Sequence, residues 1–165
     1  MIILTDSVAT DMRAGLRRLA KAVIVATTKV DGTRYAMAAT AVTEMSLDPP
    51  SILICVNQNA SIHQPLSRAT HFCLNILNDT QRDVAERCGG KATGEARFEG
   101  NDWRDDAEAP YLADSQAAFI CKRAMSFSFG THTAYVGEVV DVKLSGDAAP
   151  LVYVDGRYVR VGEDC

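Results

Sequence analysis

The chain is poor in the features that announce a mechanism. It contains no GxGxxG, no GxxxxGK[ST], no HExxH and no GxSxG, so a Rossmann phosphate turn, a P-loop, a zincin helix and a nucleophile elbow are all set aside. Its three histidines are scattered, and His63, His71 and Cys73 lack the paired spacing of a closed zinc site. The five cysteines, Cys55, Cys73, Cys88, Cys121 and Cys165, form no CxxC pair; reduced thiols in a cytoplasmic protein are the simplest reading. Cys55 and Cys73 sit in apolar runs and read as small core hydrophobes. A formal net charge of -4 excludes an extended nucleic-acid footprint. There is no long apolar run for a membrane span and no basic, h-region leader. The sequons at Asn59 and Asn78 therefore carry no meaning for a chain that stays in the cytoplasm.

What remains is an ordinary globular composition, 47% hydrophobic and 23% charged over 165 residues, the size of one domain with a real core. Residues 1–165 read as a single domain without repeats or linkers. From Thr10, with Asp11 in the first turn, the spacing of Met12, Leu16, Leu19 and Val23 predicts an amphipathic helix. A β-branched run over 22–28 leads to Asp31-Gly32, a hairpin signal, and to a return strand YAMAATAV. TEMSLDPP breaks that pattern before a strand at 51–57. A short helix capped by Ser61 follows, with Pro65 in its first turn. A strand at 71–77 precedes a helix closed by Gly89-Gly90. Residues 91–110 form a polar surface excursion, and AAFICKRAMSFSF, GTHTAYVGEVVDVKL and a hairpin around Asp155-Gly156 complete the chain. Seven or so strands with few helices predict a mainly β protein, an antiparallel barrel or sandwich with peripheral helices.

Two stretches suggest a ligand. In AMAATA (36–41) alanines stand where a strand favours bulk. They either pack beneath a neighbouring element or let a flat ring lie against the main chain. In CVNQNASIHQPL a strand end, a polar turn and a helix start offer N–H groups to an anion, with Asn57, Asn59 and Ser61 able to add side chains. A third stretch, GTHTAYVGEVVDV, sets His132 at the start of an aliphatic strand and Gly137 within it. The glycine is read as a bulge, and Val139, Val140 and Val142 as packing residues.

Together these stretches resemble the flavin reductase-like family, the FMN-binding split-barrel reductases that serve two-component monooxygenases. The similarity runs from about Asp11 to Tyr158 through RRLAKAVIVATTKVDG, ATAVTEMSLDPPSILICVNQNAS, FCLNILNDTQ, GTHTAYVGEV and PLVYVDGRY. Among members, the chain is most similar to the reductase components of 4-hydroxyphenylacetate 3-monooxygenase and of a pyrimidine-degrading oxygenase. The resemblance implies an antiparallel split β-barrel and an NAD(P)H-dependent flavin reductase that reduces FMN or FAD with NADH or NADPH. It further implies a homodimer that supplies reduced flavin to a separate monooxygenase component. It places the flavin ring along Ala38, Ala39, Thr40 and Ala41, and the ribityl phosphate at Asn57, Gln58, Asn59, Ala60 and Ser61. His132 falls beside the ring and the incoming nicotinamide as the catalytic candidate, with Tyr158 near the same cleft and no metal. The chain departs from the family in having Ala36-Met37-Ala38 for Gly-x-Thr and Ala60-Ser61-Ile62 for Ser-x-Thr. A non-enzymatic flavin-binding module, or a flavin-mediated reductase of another acceptor such as a corrin, is the alternative.

Overall fold

The computed structural model describes residues 3–162, with side chains from residue 7 onward; Cys165 lies outside that range. The chain runs through α1 (Ile3–Leu16), β1 (Lys21–Ala22), β2 (Ile24–Val30), β3 (Thr33–Ala39), β4 (Val42–Leu47), β5 (Pro50–Asn57), α2 (His63–Arg68), β6 (His71–Ile76) and α3 (Arg82–Glu86). After a wide turn (Arg87–Lys91) and a 3-10 helix (Gly94–Phe98) come β7 (Trp103–Arg104), β8 (Tyr111–Leu112), β9 (Ala117–Phe129), β10 (His132–Leu144), β11 (Val152–Val154) and β12 (Arg157–Val159).

Seven strands form one antiparallel sheet in the order β3-β2-β6-β9-β10-β5-β4. Its two edge strands, β3 and β4, are consecutive in sequence, joined only by Thr40 and Ala41. In a flat seven-stranded sheet the edges would lie roughly 29 Å apart. Three Cα steps from Ala39 to Val42 reach at most about 11 Å. The sheet therefore has to curl until its edges nearly meet, and the result is a barrel split along the β3/β4 seam.

The alternation of side chains fills both surfaces of this curled sheet. On β2, Ile24 and Ala26 point inward to join Ile54, Val56, Phe72, Leu74, Cys121 and Tyr135, a core drawn from five strands and α2. The intervening Val25 points outward to pack with Ala36, Leu77, Val84, Ala85 and Leu151 under α3 and the C-terminal strands. A three-stranded sheet, β1-β11-β12, lies over this second layer. The β11–β12 turn has φ of 49° at Asp155 and 76° at Gly156, and the β2–β3 turn 51° at Asp31 and 78° at Gly32, as the two Asp-Gly pairs require of hairpins with both central residues left-handed.

Several local expectations are corrected. Thr10 is a mid-helix residue of α1, which begins at Ile3; Val8, Met12, Leu16 and Leu19 are all exposed. TEMSL is the strand β4; its exposed Glu44 and Met45 suit an edge strand. Ser61 does not cap α2, whose N-cap position is Ile62 with no side-chain bond. The 91–110 excursion is only partly superficial, since Phe98 enters the outer core and meets Trp103 edge-on at 5.0 Å. Of the three valines assigned to packing, Val139 touches the barrel core but Val140 and Val142 are exposed.

Gly137 lies opposite a bulge rather than in one: Val136 pairs with Met125 and Gly137 with Arg123, which leaves Ala124 of β9 as the extra residue. The glycine is also sterically required. A Cβ there would lie 2.5 Å from Phe72 Cζ and 2.6 Å from Cys121 Cβ. Gly137→Ala should lose about 1–3 kcal/mol of stability through overpacking, read as a lower denaturant midpoint with an unchanged slope.

Candidate functional site

The seam between β3 and β4 opens into a cleft of about 460 Å3. Leu53 and Cys55 floor it, Thr40, Ala41 and Thr43 form one side, and Leu19 to Ala22 the other. Thr40 lines the cleft and belongs to neither ladder of the adjoining strands, so its main-chain groups are not taken up by strand pairing. The β4–β5 pairing runs one residue beyond β4, with the Cys55 N–H donating to the Ala41 carbonyl oxygen at 2.9 Å.

Residues directly opposite on antiparallel strands share a face. The registers pair His132 with Asn57, Ala134 with Cys55 and Val136 with Leu53, and pair the same three with Phe129, Phe127 and Met125 on β9. His132, Asn57, Cys55 and Leu53 therefore stand on one outer face, continuous with the seam cleft. Thr133 and Tyr135 point the other way, beneath it. The period-2 pattern thus brings His132, the start of the 57–61 turn and, through the cleft lining, Thr40 and Ala41 to one side of the barrel.

The remaining assigned residues divide. Ala38 and Ala39 line, with Thr40 and Tyr158, a smaller hollow of about 150 Å3 on the outer layer. Ala38 also packs beneath the wide turn after α3, where a Cβ on Gly89 would be 3.8 Å from its own, as the packing reading of the alanine run expects. Burial raises the Tyr158 phenol above its ordinary pKa, with the nearby Glu86 acting in the same direction, so its hydroxyl remains a donor at neutral pH. Tyr158 is nearer the alanine strand than the His132 end of the face.

The 57–61 turn is held tightly by its own bonds. Gln58 N–H donates to the Thr131 carbonyl at 2.9 Å, Asn59 N–H to Asn57 Oδ1 at 2.8 Å, and Ala60 N–H to the Asn57 carbonyl at 2.9 Å. Those donors are spent, and α2, only six residues long, adds little dipole. An anion at the turn would meet Ser61, with the exposed side chains of Gln58 and Asn59.

Beneath the face runs a polar chain that the sequence patterns did not single out. His63 Nε2 lies 2.9 Å from Thr133 Oγ1, which is 2.8 Å from Ser128 Oγ. Tyr135 OH donates to the His63 carbonyl at 3.3 Å. This chain ties the helix that follows the 57–61 turn to the strand that bears His132. Its only sequence signal was alternation, which puts Thr133 and Ser128 opposite His132 and Phe129. Cys55 also departs from expectation: it is half-exposed in the cleft floor rather than buried. Burial drives the Cys73 thiol far above its ordinary range, Cys121 to about 12 and Cys88 to about 11, so these three are inert packing residues.

The profile of the flavin reductase-like domain matches residues 16–162. The chain belongs to the flavin reductase-like family. It is 33% identical over 156 residues to the reductase component of an FADH2-dependent resorcinol hydroxylase from a Rhizobium species, covering 93% of this chain and 87% of that protein. It is 36% identical over 147 residues to RutF, an NADH-dependent FMN reductase of Pseudomonas syringae, covering 88% and 83%. In three dimensions it matches the NADH:FAD oxidoreductase SgcE6 of Streptomyces globisporus C-1027 with a TM-score of 0.86 and 26% identity over 94% of each chain. The family's split barrel is the fold described above. These relatives are reductases, which sets the non-enzymatic module aside.

Thr133→Val should strand Ser128 Oγ and His63 Nε2 and cost about 1–3 kcal/mol. Thr133→Ser keeps both bonds and should cost only about 1 kcal/mol for the lost methyl. Equilibrium urea unfolding of the two variants checks the difference.

Proposed function

We infer that this flavin reductase binds its flavin across the β3/β4 seam and reduces it with NADH or NADPH, releasing reduced flavin to a separate monooxygenase component in the cytoplasm. The observation that carries this reading is the coincidence, on one outer face, of an apolar cleft, a stretch of main chain outside the ladders at Thr40, and His132.

The residues suit the cofactor. A flavin has a flat apolar body and a polar ring edge; Leu53 and Cys55 provide the apolar floor, and the main chain at Thr40, between Ala39 and Ala41 and outside both ladders, provides groups for the edge. Ala38 and Tyr158 border the same strand. At the other end of the face the 57–61 turn offers the ribityl phosphate Ser61 and the side chains of Asn57, Gln58 and Asn59, with Ala60 N–H held by the Asn57 carbonyl. Bound there, FMN or FAD would supply the ring nitrogen that takes hydride directly from a nicotinamide. The protein then needs no acid or base for that transfer; its task is to hold two rings at reacting distance. That accounts for a site with no perturbed carboxylate. His132 is exposed on the face, with Nδ1 2.9 Å from Thr131 Oγ1. That contact fixes the ring and leaves Nε2 to meet the donor's amide or the flavin.

A second copy of the chain completes the surface around this site. Met125, Phe127 and Phe129 are 53%, 51% and 88% exposed, and all three lie on the His132 face. A contiguous apolar row of that kind is uncommon on a monomer, and a homodimer would cover it. No helix among the described residues is long and apolar enough to cross a membrane.

Steady-state oxidation of NADH and NADPH with FMN, FAD or riboflavin tests the activity; flavin binding without turnover would overturn it. His132→Ala should raise the KM for NADH by roughly tenfold, about 1.4 kcal/mol, while flavin affinity changes less than threefold. Unchanged NADH kinetics would remove His132 from the site. Phe127→Asp with Phe129→Asp should shift the sedimenting species from dimer to monomer.

A further inference from the structure

Beside the seam cleft, and sharing Leu19, Lys21 and Thr40 with it, lies a second depression of about 320 Å3. Its body is apolar, from Leu16, Leu19, Tyr153 and Val154, and its charged groups are Arg13, Arg17, Lys21 and Asp155. Three cations against one carboxylate is a local excess of positive charge in a chain whose formal net charge is -4.

The basic groups are arranged rather than scattered. Arg13 and Arg17 are one turn apart at the end of α1, with Arg17 N–H donating to the Arg13 carbonyl at 3.1 Å, so both project from one side. Arg17 is locked in place: its Nε donates to Asp155 Oδ1 at 3.1 Å, its Nη2 to the Asp155 carbonyl at 3.2 Å, and the Asp155 N–H donates back to the Arg17 carbonyl at 2.8 Å. Its guanidinium covers the β11–β12 turn so closely that a Cβ on Gly156 would meet Nη2 at 3.0 Å. Arg13 and Lys21 have no carboxylate partner among the described residues. Asp155 thus holds one guanidinium while two cations stay available at the rim.

We propose that this depression binds a phosphate of the hydride donor, with Arg13 and Lys21 as the residues that contact it and Arg17 as the fixed wall between them. The inference rests on the reading of the seam as the flavin and nicotinamide site. A nicotinamide dinucleotide carries its pyrophosphate one ribose away from the reacting ring, so an anion subsite has to adjoin the cleft without occupying it. The depression meets that requirement through Thr40 and Lys21. It lies on the Thr40 side of the seam, whereas the 57–61 turn lies beyond Cys55 at the far end of β5. The flavin phosphate and the donor phosphates are thereby given separate ends of the site, which avoids crowding like charges. The apolar walls suit the ribose and adenine that accompany the phosphates, and the guanidinium of Arg13 suits a bidentate contact.

The test is steady-state kinetics of the full chain with FMN and either NADH or NADPH, at low and high ionic strength, beside FMN affinity from flavin fluorescence. In the variant R13A, whose side chain lines the depression but not the seam cleft, the KM for the donor should rise about fivefold, with kcat changed less than twofold and FMN affinity unchanged. That split denotes loss of donor binding alone. The rise of KM with salt seen in the unmodified chain should flatten. An equal rise for both donors assigns the pyrophosphate, and a rise confined to NADPH assigns its ribose phosphate; either supports the subsite. A donor KM that stays put while the unmodified chain turns over, or an FMN affinity that falls by the same factor, overturns it. An unmodified chain that oxidises neither donor overturns the enzymatic reading itself, and this subsite with it.

Discussion

Everything in this molecule turns on the two residues Thr40 and Ala41. They are the whole connection between strands that occupy opposite edges of a seven-stranded sheet. A two-residue link cannot cross a flat sheet of that width, so the chain's own length forces the curl. The curl creates an inside for Ile54, Phe72, Leu74 and Tyr135 to fill, and leaves a seam where the edges meet without pairing. A closed barrel would have no free main chain at this point. The split supplies main-chain groups beside an apolar floor, which is the combination a planar cofactor with one polar edge requires.

The same economy governs the strand that carries His132. With period 2, each residue committed to the barrel interior has a neighbour committed to the outer face. Thr133 reaches inward to His63 and Ser128, and His132 is thereby turned outward. Gly137, five residues on, shows how far packing sets the terms, because Phe72 and Cys121 occupy the space any side chain would need. The exposed, polar start of the strand is bracketed by a steric requirement in its middle.

Much of this was legible in the sequence, for reasons that differ by element. The two Asp-Gly hairpins follow from local φ requirements, β2 from its β-branched run, and β5 and β6 from short apolar runs bounded by turn signals. The GTH and SLDPPSILICVN blocks pointed to the family that the comparisons show. TEMSL was opaque because an edge strand does not need an apolar face, and polar residues there mimic a loop. The start of α1 was missed because an exposed apolar stripe carries no sign of which residue caps it. Cys55 read as core because an apolar run does not say which of its alternate positions faces a cleft. The His63–Thr133–Ser128 chain links residues up to 70 positions apart, and no local pattern announces such a pairing.

The central claim is that flavin lies over the seam, with Cys55 beneath it. Peptide-resolved thiol labelling of the folded chain, with and without saturating FMN, addresses that claim directly. The account predicts that Cys55 reacts in the free protein while Cys73, Cys88 and Cys121 do not, and that FMN slows its labelling at least tenfold. Labelling of Cys55 at the same rate with and without bound flavin would contradict it.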